Sequence, residues 1–145
     1  MSEAHQQVSE RQQSHVLVVD DEELARESLG ALLEEDYRVT LASSGEEAVN
    51  VLRSQPVHVM CTDFQMPGMN GVELLRELES VSPQTVGVLV TGFPDLAEGG
   101  GREDDEDFLV VVKPFTPDRL LRIVSHAARF SQIRGMRKRT DAEAR

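Results

Sequence analysis

The stretch Val57-His58-Val59-Met60-Cys61-Thr62-Asp63-Phe64-Gln65-Met66-Pro67-Gly68-Met69-Asn70-Gly71 decides the fold. It opens as a short apolar run bounded by turn residues, the pattern of a buried strand, and it carries an aspartate to that strand's carboxyl end. A Met-Pro-Gly turn then leads into a helix. A carboxylate at the C-terminal edge of a strand lies where open parallel sheets place their ligand sites. Three other apolar runs end in polar residues in the same way.

On the N-terminal side, Val16-Leu17-Val18-Val19 is continuously apolar, as in a strand buried on both faces, and it stops at Asp20-Asp21-Glu22-Glu23. Leu24, Ala25, Ser28, Leu29, Leu32 and Leu33 follow at helical spacing. Tyr37-Arg38-Val39-Thr40-Leu41 alternates polar and apolar, which suits an edge strand. Ser44 and Glu47 form a capping-box pattern, Ala48, Val51 and Leu52 supply that helix's inward stripe, and Pro56 ends it.

On the C-terminal side, Asn70 with Glu73 predicts a second capped helix whose inner face is Val72, Leu75 and Leu78, closed by Ser82-Pro83. Val86-Gly87-Val88-Leu89-Val90 is the next strand, ending in Thr91-Gly92. The helix due after it contains Gly99-Gly100-Gly101, each costing about 1 kcal/mol relative to Ala in a helix interior, so a weakened or short fourth helix is expected. Phe108 to Val112 is the last strand, ending in Lys113-Pro114-Phe115. Thr116 and Pro117 open the final helix, with Leu120, Val124, Ala127 and Ala128 inward and an amphipathic run toward Met136. Strands alternating with helices predict an α/β fold with a doubly wound five-stranded parallel sheet, order 2-1-3-4-5.

The chain has 145 residues, 39% hydrophobic and 28% charged, the size and composition of one globular domain. No apolar run approaches membrane-spanning length, so no membrane insertion is expected; without a signal-peptide pattern, a cytoplasmic location is. Residues 1–14 are expected to be a disordered leader, 15–129 the domain, and 130–145 a basic helical extension or tail. The one cysteine, Cys61, reads as a small buried hydrophobe. A net charge of −11 opposes nucleic-acid binding by this domain. Carboxylates crowd Glu98 to Asp107, and basic residues crowd Arg129 to Arg145. Each cluster fits a solvated surface, mutual attraction or a partner site.

Parallel winding brings Asp20, Asp21, Asp63, Thr91 and Lys113 to one rim. Three clustered carboxylates repel unless a cation shares the site, and Mg²⁺, a hard ion that takes oxygen ligands, suits them. An Asp63 oxygen could then attack a phosphorus atom in line, with Lys113 and the Thr91 hydroxyl contacting phosphoryl oxygens. Each residue alone also fits a structural role: Asp20 and Asp21 as helix caps, Asp63 as a turn residue, Thr91 as a loop hydroxyl, Lys113 as a surface lysine.

Val18-Val19-Asp20-Asp21-Glu22, Thr62-Asp63-Phe64-Gln65-Met66-Pro67-Gly68-Met69-Asn70-Gly71, Val90-Thr91-Gly92 and Val112-Lys113-Pro114-Phe115 together resemble the receiver domain of two-component response regulators. The spacings of 42 residues from Asp21 to Asp63, 28 to Thr91 and 22 to Lys113 are similar to those usual in that family. The resemblance, which spans about Val16 to Ala128, implies a flavodoxin-like fold and a phosphorylation switch. Asp63 would accept phosphate from a sensor histidine kinase or phosphotransfer protein. Asp21, Asp63 and the backbone carbonyl of Gln65 would hold Mg²⁺, with Asp20 helping through water. Thr91 and Lys113 would bind the phosphoryl group, and output would pass to a downstream protein partner. Such a domain catalyses its own phosphorylation and dephosphorylation and is not otherwise an enzyme.

Two departures from the family pattern fall together. Val110 stands where an aromatic is usual, with Phe108 two residues earlier on the same strand face as a substitute, and the glycine-rich acidic segment stands in the fourth helix. Phosphate retention is therefore expected to order or reposition that segment. Gln65 and Phe93 are expected to flank the phosphoryl group. Two alternatives are a phosphorylation-independent pseudo-receiver and a phosphatase of the haloacid dehalogenase type. The latter places a second acid two residues after its nucleophile, where this chain has Gln65. The sequence suits a stand-alone regulator and a piece of a longer one equally.

Overall fold

The computed structural model describes residues 14–93 and 108–144. In chain order the elements are β1 (His15–Val19), α1 (Glu23–Leu33), β2 (Arg38–Ala42), α2 (Gly45–Ser54), β3 (Val59–Asp63), α3 (Gly71–Val81), β4 (Val86–Thr91), β5 (Phe108–Val112) and α4 (Pro117–Ala144). All strands pair in parallel in the order β2-β1-β3-β4-β5. The slot of the weakened fourth helix, its acidic run and the expected repositioning of that run lie outside the described residues, as do residues 1–13.

Burial follows from this order. β1 and β4 are buried along their whole length, while the edge strand β2 is exposed at Arg38 and Leu41 and fully buried only at Ala42. Alternate strand residues face opposite sides of a sheet. Val16 and Val18 thus join Leu33, Leu120, Val124 and Ala127 under α1 and α4. Leu17 and Val19 join Ala48, Leu52, Leu74, Leu75 and Leu78 under α2 and α3. The sheet is therefore covered on both faces, which leaves only its two rims for polar chemistry.

The caps hold with one shift. Asn70 and Glu73 form the reciprocal capping box of α3. At α2 the Ser44 hydroxyl accepts from the Glu47 amide, but the Glu47 carboxylate accepts from Ser43 N–H and Ser43 O–H rather than from Ser44 N–H. Thr116 accepts from Arg119 N–H at the start of α4. In α1, which forms where helical spacing places it, Leu24 is 78% exposed and Ser28 is also exposed. Leu29, Leu32 and Leu33 carry the packing of α1.

At the amino rim, the His58 Nδ1 accepts from the His15 peptide N–H at 2.9 Å. The His15 ring lies between the Pro56 carbonyl at 2.8 Å and Thr40 Oγ1 at 2.7 Å. Ser14 is buried, and its carbonyl accepts from Arg38 N–H. Helix α4 crosses the same rim, where Ser131 Oγ donates to the Gln84 carbonyl at 2.8 Å and Arg134 to the Thr85 carbonyl at 3.2 Å. Phe108, at the amino end of β5, lines a cavity of about 190 Å³ with Leu75, Leu78 and Arg134. Phe108 and Val110 do share the α3 face. The Phe108 ring nonetheless occupies a pocket at the rim opposite Lys113, because two strand residues displace it by about 7 Å.

Candidate functional site

Three carboxylates meet at the carboxyl rim. Asp20 and Asp21 follow β1, Asp63 closes β3, and one oxygen from each lies within 4.8 Å of the other two. Register causes the meeting: β1 and β3 are neighbours with Val19 opposite Thr62, so the next residue of each emerges beside the other.

Asp20 is 6% exposed. Its Oδ1 accepts from Glu22 N–H at 2.9 Å, its own amide donates to the Ala42 carbonyl at 3.1 Å, and its carbonyl accepts from Arg26 Nη1 at 2.8 Å. Burial pushes its acid above the ordinary carboxylate value; the Glu22 amide opposes that, Asp63 and Asp21 add to it, and Lys113 opposes it. Neither aspartate caps α1. The N-cap is Glu22, with no side-chain cap bond, and Asp21 is exposed.

Asp63 is partly buried, and Lys113 Nζ donates to its Oδ1 at 3.3 Å. Lys113 reaches it across β4, and its own amide donates to the Thr91 carbonyl at 2.8 Å. The Lys113–Pro114 peptide is cis. Thr91 is buried, and its Oγ1 accepts from Phe93 N–H at 3.0 Å. Its hydroxyl hydrogen has no acceptor among the described residues and remains able to donate. Phe93 itself is 54% exposed.

The turn after Asp63 is built by two glycines. Gly68 has φ of +78°, a conformation that side chains rarely adopt. A Cβ on Gly71 would meet the Asp63 carbonyl oxygen, and the Gly71 amide donates to the Phe64 carbonyl at 2.8 Å. Asp21, Asp63, exposed Gln65, Gly68 and Asn70 line one open cleft of about 540 Å³.

The structure thus brings together Asp20, Asp21, Asp63 and Lys113, ties Thr91 to Lys113 through the backbone, and puts Gln65 in the cleft beside Asp63. The donor set is all oxygen and carries three carboxylates, which fits a hard divalent cation such as Mg²⁺. Sequence reasoning missed Arg26 and Gly71. A six-residue separation between a guanidinium and a backbone carbonyl leaves no periodic signal, whereas the Asn70-Gly71 pair marked a turn without revealing the Asp63 contact.

Cys61 is fully buried, which pushes its thiol up to about 12 and leaves it an inert core side chain. Among the described residues no helix is long and apolar enough to cross a membrane.

The family model described as response regulator receiver domain matches residues 16–125. The hydrogenase transcriptional regulatory protein HoxA of Cupriavidus necator is 36% identical over 134 residues, which are 92% of this chain and 28% of that protein. The chain thus spans about a quarter of the length of that relative and of its Bradyrhizobium diazoefficiens counterpart. The response regulator receiver protein CpdR of Brucella abortus is 32% identical over 69% of this chain and 83% of its own. Among solved structures, a response regulator receiver domain protein of Clostridium thermocellum superposes with a TM-score of 0.74 at 27% identity, covering 83% of this chain and 98% of that one.

Proposed function

The chain belongs to the response regulator receiver domain family, and from that premise we propose that it is a phosphorylation-controlled switch with Asp63 as the phosphoryl acceptor. The observation that carries this reading is the convergence of three carboxylates within 4.8 Å, with Lys113 3.3 Å from one of them. The donor is the phosphohistidine of a sensor kinase or phosphotransfer protein. A carboxylate oxygen of Asp63 forms the new O–P bond as the N–P bond breaks, and the electron pair of that bond stays with the histidine nitrogen.

Asp21, Asp63 and the Gln65 carbonyl would hold Mg²⁺, with Asp20 helping through water, and the ion would supply positive charge to the phosphoryl oxygens. Lys113, paired with Asp63 before transfer, neutralises a phosphoryl oxygen afterwards. The Thr91 hydroxyl has an uncommitted proton to donate to another. Positioning and charge neutralisation, rather than acid–base chemistry, carry such a transfer. Output goes to a downstream protein partner.

The test is incubation with acetyl phosphate, with and without Mg²⁺, followed by intact mass. One labile phosphoryl group that requires Mg²⁺ and is absent in Asp63→Asn is the expected result. Uptake by the Asn variant would move the acceptor elsewhere. No uptake by wild type, together with no Mg²⁺ binding, would leave a phosphorylation-independent binding module.

A further inference from the structure

The acidic turn between β1 and α1 leads into its helix without a side-chain cap. Its N-cap, Glu22, makes no side-chain cap bond, and Asp21 is exposed. It also carries two of three mutually repelling carboxylates. Without a cation, that repulsion favours any backbone movement that swings Asp20 and Asp21 away from Asp63.

One side chain reaches back over the turn. Arg26, one helical turn into α1 and half-buried, donates from Nη1 to the Asp20 carbonyl at 2.8 Å. A hydrogen bond from a charged donor is among the stronger ones, and a guanidinium holds its direction better than a flexible ammonium. Hydrogen bonds from Ser43 hold the Glu47 acid below its ordinary value and the charge of Arg26 adds to that, which places the guanidinium between the acidic turn and the start of α2. The other bonds of the turn run from the Asp20 amide to the Ala42 carbonyl, from the Glu22 amide back to Asp20 Oδ1, and from the Arg26 amide to the Glu22 carbonyl, the last of which fixes Glu22 but not the Asp20 peptide. Among the described residues, Arg26 alone ties the Asp20 carbonyl to the body of α1.

We infer that Arg26 is a positioning residue for the divalent cation: it clamps the Asp20 peptide so that Asp20 and Asp21 stay gathered on Asp63 before the cation arrives. This rests on the receiver reading given above. It assigns Arg26 no contact with cation or phosphate. The clamp lowers the reorganisation needed for cation binding, so its loss raises the Mg²⁺ requirement without changing transfer once Mg²⁺ saturates.

The experiment is a Mg²⁺ titration followed by amide NMR shifts of the folded protein, for wild type, Arg26→Ala, Arg26→Gln and Arg26→Lys. A parallel series measures phosphorylation by acetyl phosphate at limiting and saturating Mg²⁺. The expected result is a Kd for Mg²⁺ weakened about tenfold in Arg26→Ala and partly restored in Arg26→Lys, with the phosphorylation rate recovering at saturating Mg²⁺. Arg26→Gln keeps part of the stem and a shorter, uncharged donor and serves if the Ala variant does not fold; it is expected to fall between Ala and wild type. A purely structural Arg26 would lower the melting temperature and leave the Kd of the folded protein unchanged, which overturns the inference. A rate defect that persists at saturating Mg²⁺ also overturns it. If wild type itself neither binds Mg²⁺ nor takes up phosphate, the receiver reading fails instead.

Discussion

Asp63 sits between opposing fields. Asp20 and Asp21 repel its charge while Lys113 attracts it, and the 3.3 Å ion pair with Lys113 is the one close compensation among the described residues. A phosphoryl group arriving here inherits that lysine. Its lifetime then depends on access by water, and Phe93 is the exposed side chain nearest in sequence to Thr91, its amide bonded to the Thr91 hydroxyl oxygen. Phe93→Ala is expected to shorten the acyl phosphate lifetime roughly threefold, which corresponds to less than about 1 kcal/mol of barrier. Decay of the phosphoryl mass increment after donor removal measures it; equal half-lives would remove Phe93 from the water path.

Strand and helix ends make the site's scaffold, and two of them give direct tests. Gly71 opens α3 against the Asp63 carbonyl, where a Cβ has no room. Alanine improves helix propensity by about 1 kcal/mol, but collision with backbone cannot be relieved by a rotamer change. Gly71→Ala is therefore expected to destabilise by about 2 kcal/mol in urea unfolding and to weaken phosphorylation, because Asp63 must move with the turn. At the opposite rim, His58 accepts the His15 amide and must be neutral at Nδ1 to do so. Burial lowers its pKa from 6.5, helped by the neighbouring His15 ring and by the Arg38 charge. Unfolding thus lets it take up a proton. Its share of stability is full above 6.5 and is lost as pH falls below that toward the folded value. Wild type should lose more stability between about pH 7 and about pH 5.5 than His58→Asn, whose amide oxygen can accept the same bond without titrating; parallel losses would deny His58 this role.

For the whole molecule, the doubly wound sheet was legible because buried parallel strands are unbroken apolar runs whose polar endings mark one rim. Asp20, Asp21, Asp63 and Lys113 could be placed together for that reason. Leu24 and Phe108 were less legible: periodicity gives neither whether a residue of a helical run is covered nor how far along a strand face a ring packs. Arg26 was illegible because its partner is a carbonyl, which every residue has. The family match ends at residue 125, yet α4 remains packed beyond it. Removing residues 131–145 would strip the Gln84 and Thr85 carbonyls of the Ser131 and Arg134 donors. The expected cost is about 1 to 3 kcal/mol, read as a lower urea midpoint at unchanged secondary structure. An unchanged midpoint would mean that these bonds are replaced by water without loss.

That anchorage has a mechanical side. Helix α4 is clamped to the sheet as far as Arg134 and continues as helix to Ala144. Ten further residues at the helical rise make an arm of about 15 Å, so a tilt of roughly 10° at the clamped end sweeps the tip through about 3 Å. The fulcrum is the pair of carbonyls at the foot of β4, the strand whose other end carries Thr91. A small displacement of β4 along its length would be delivered at the tip of α4 as leverage.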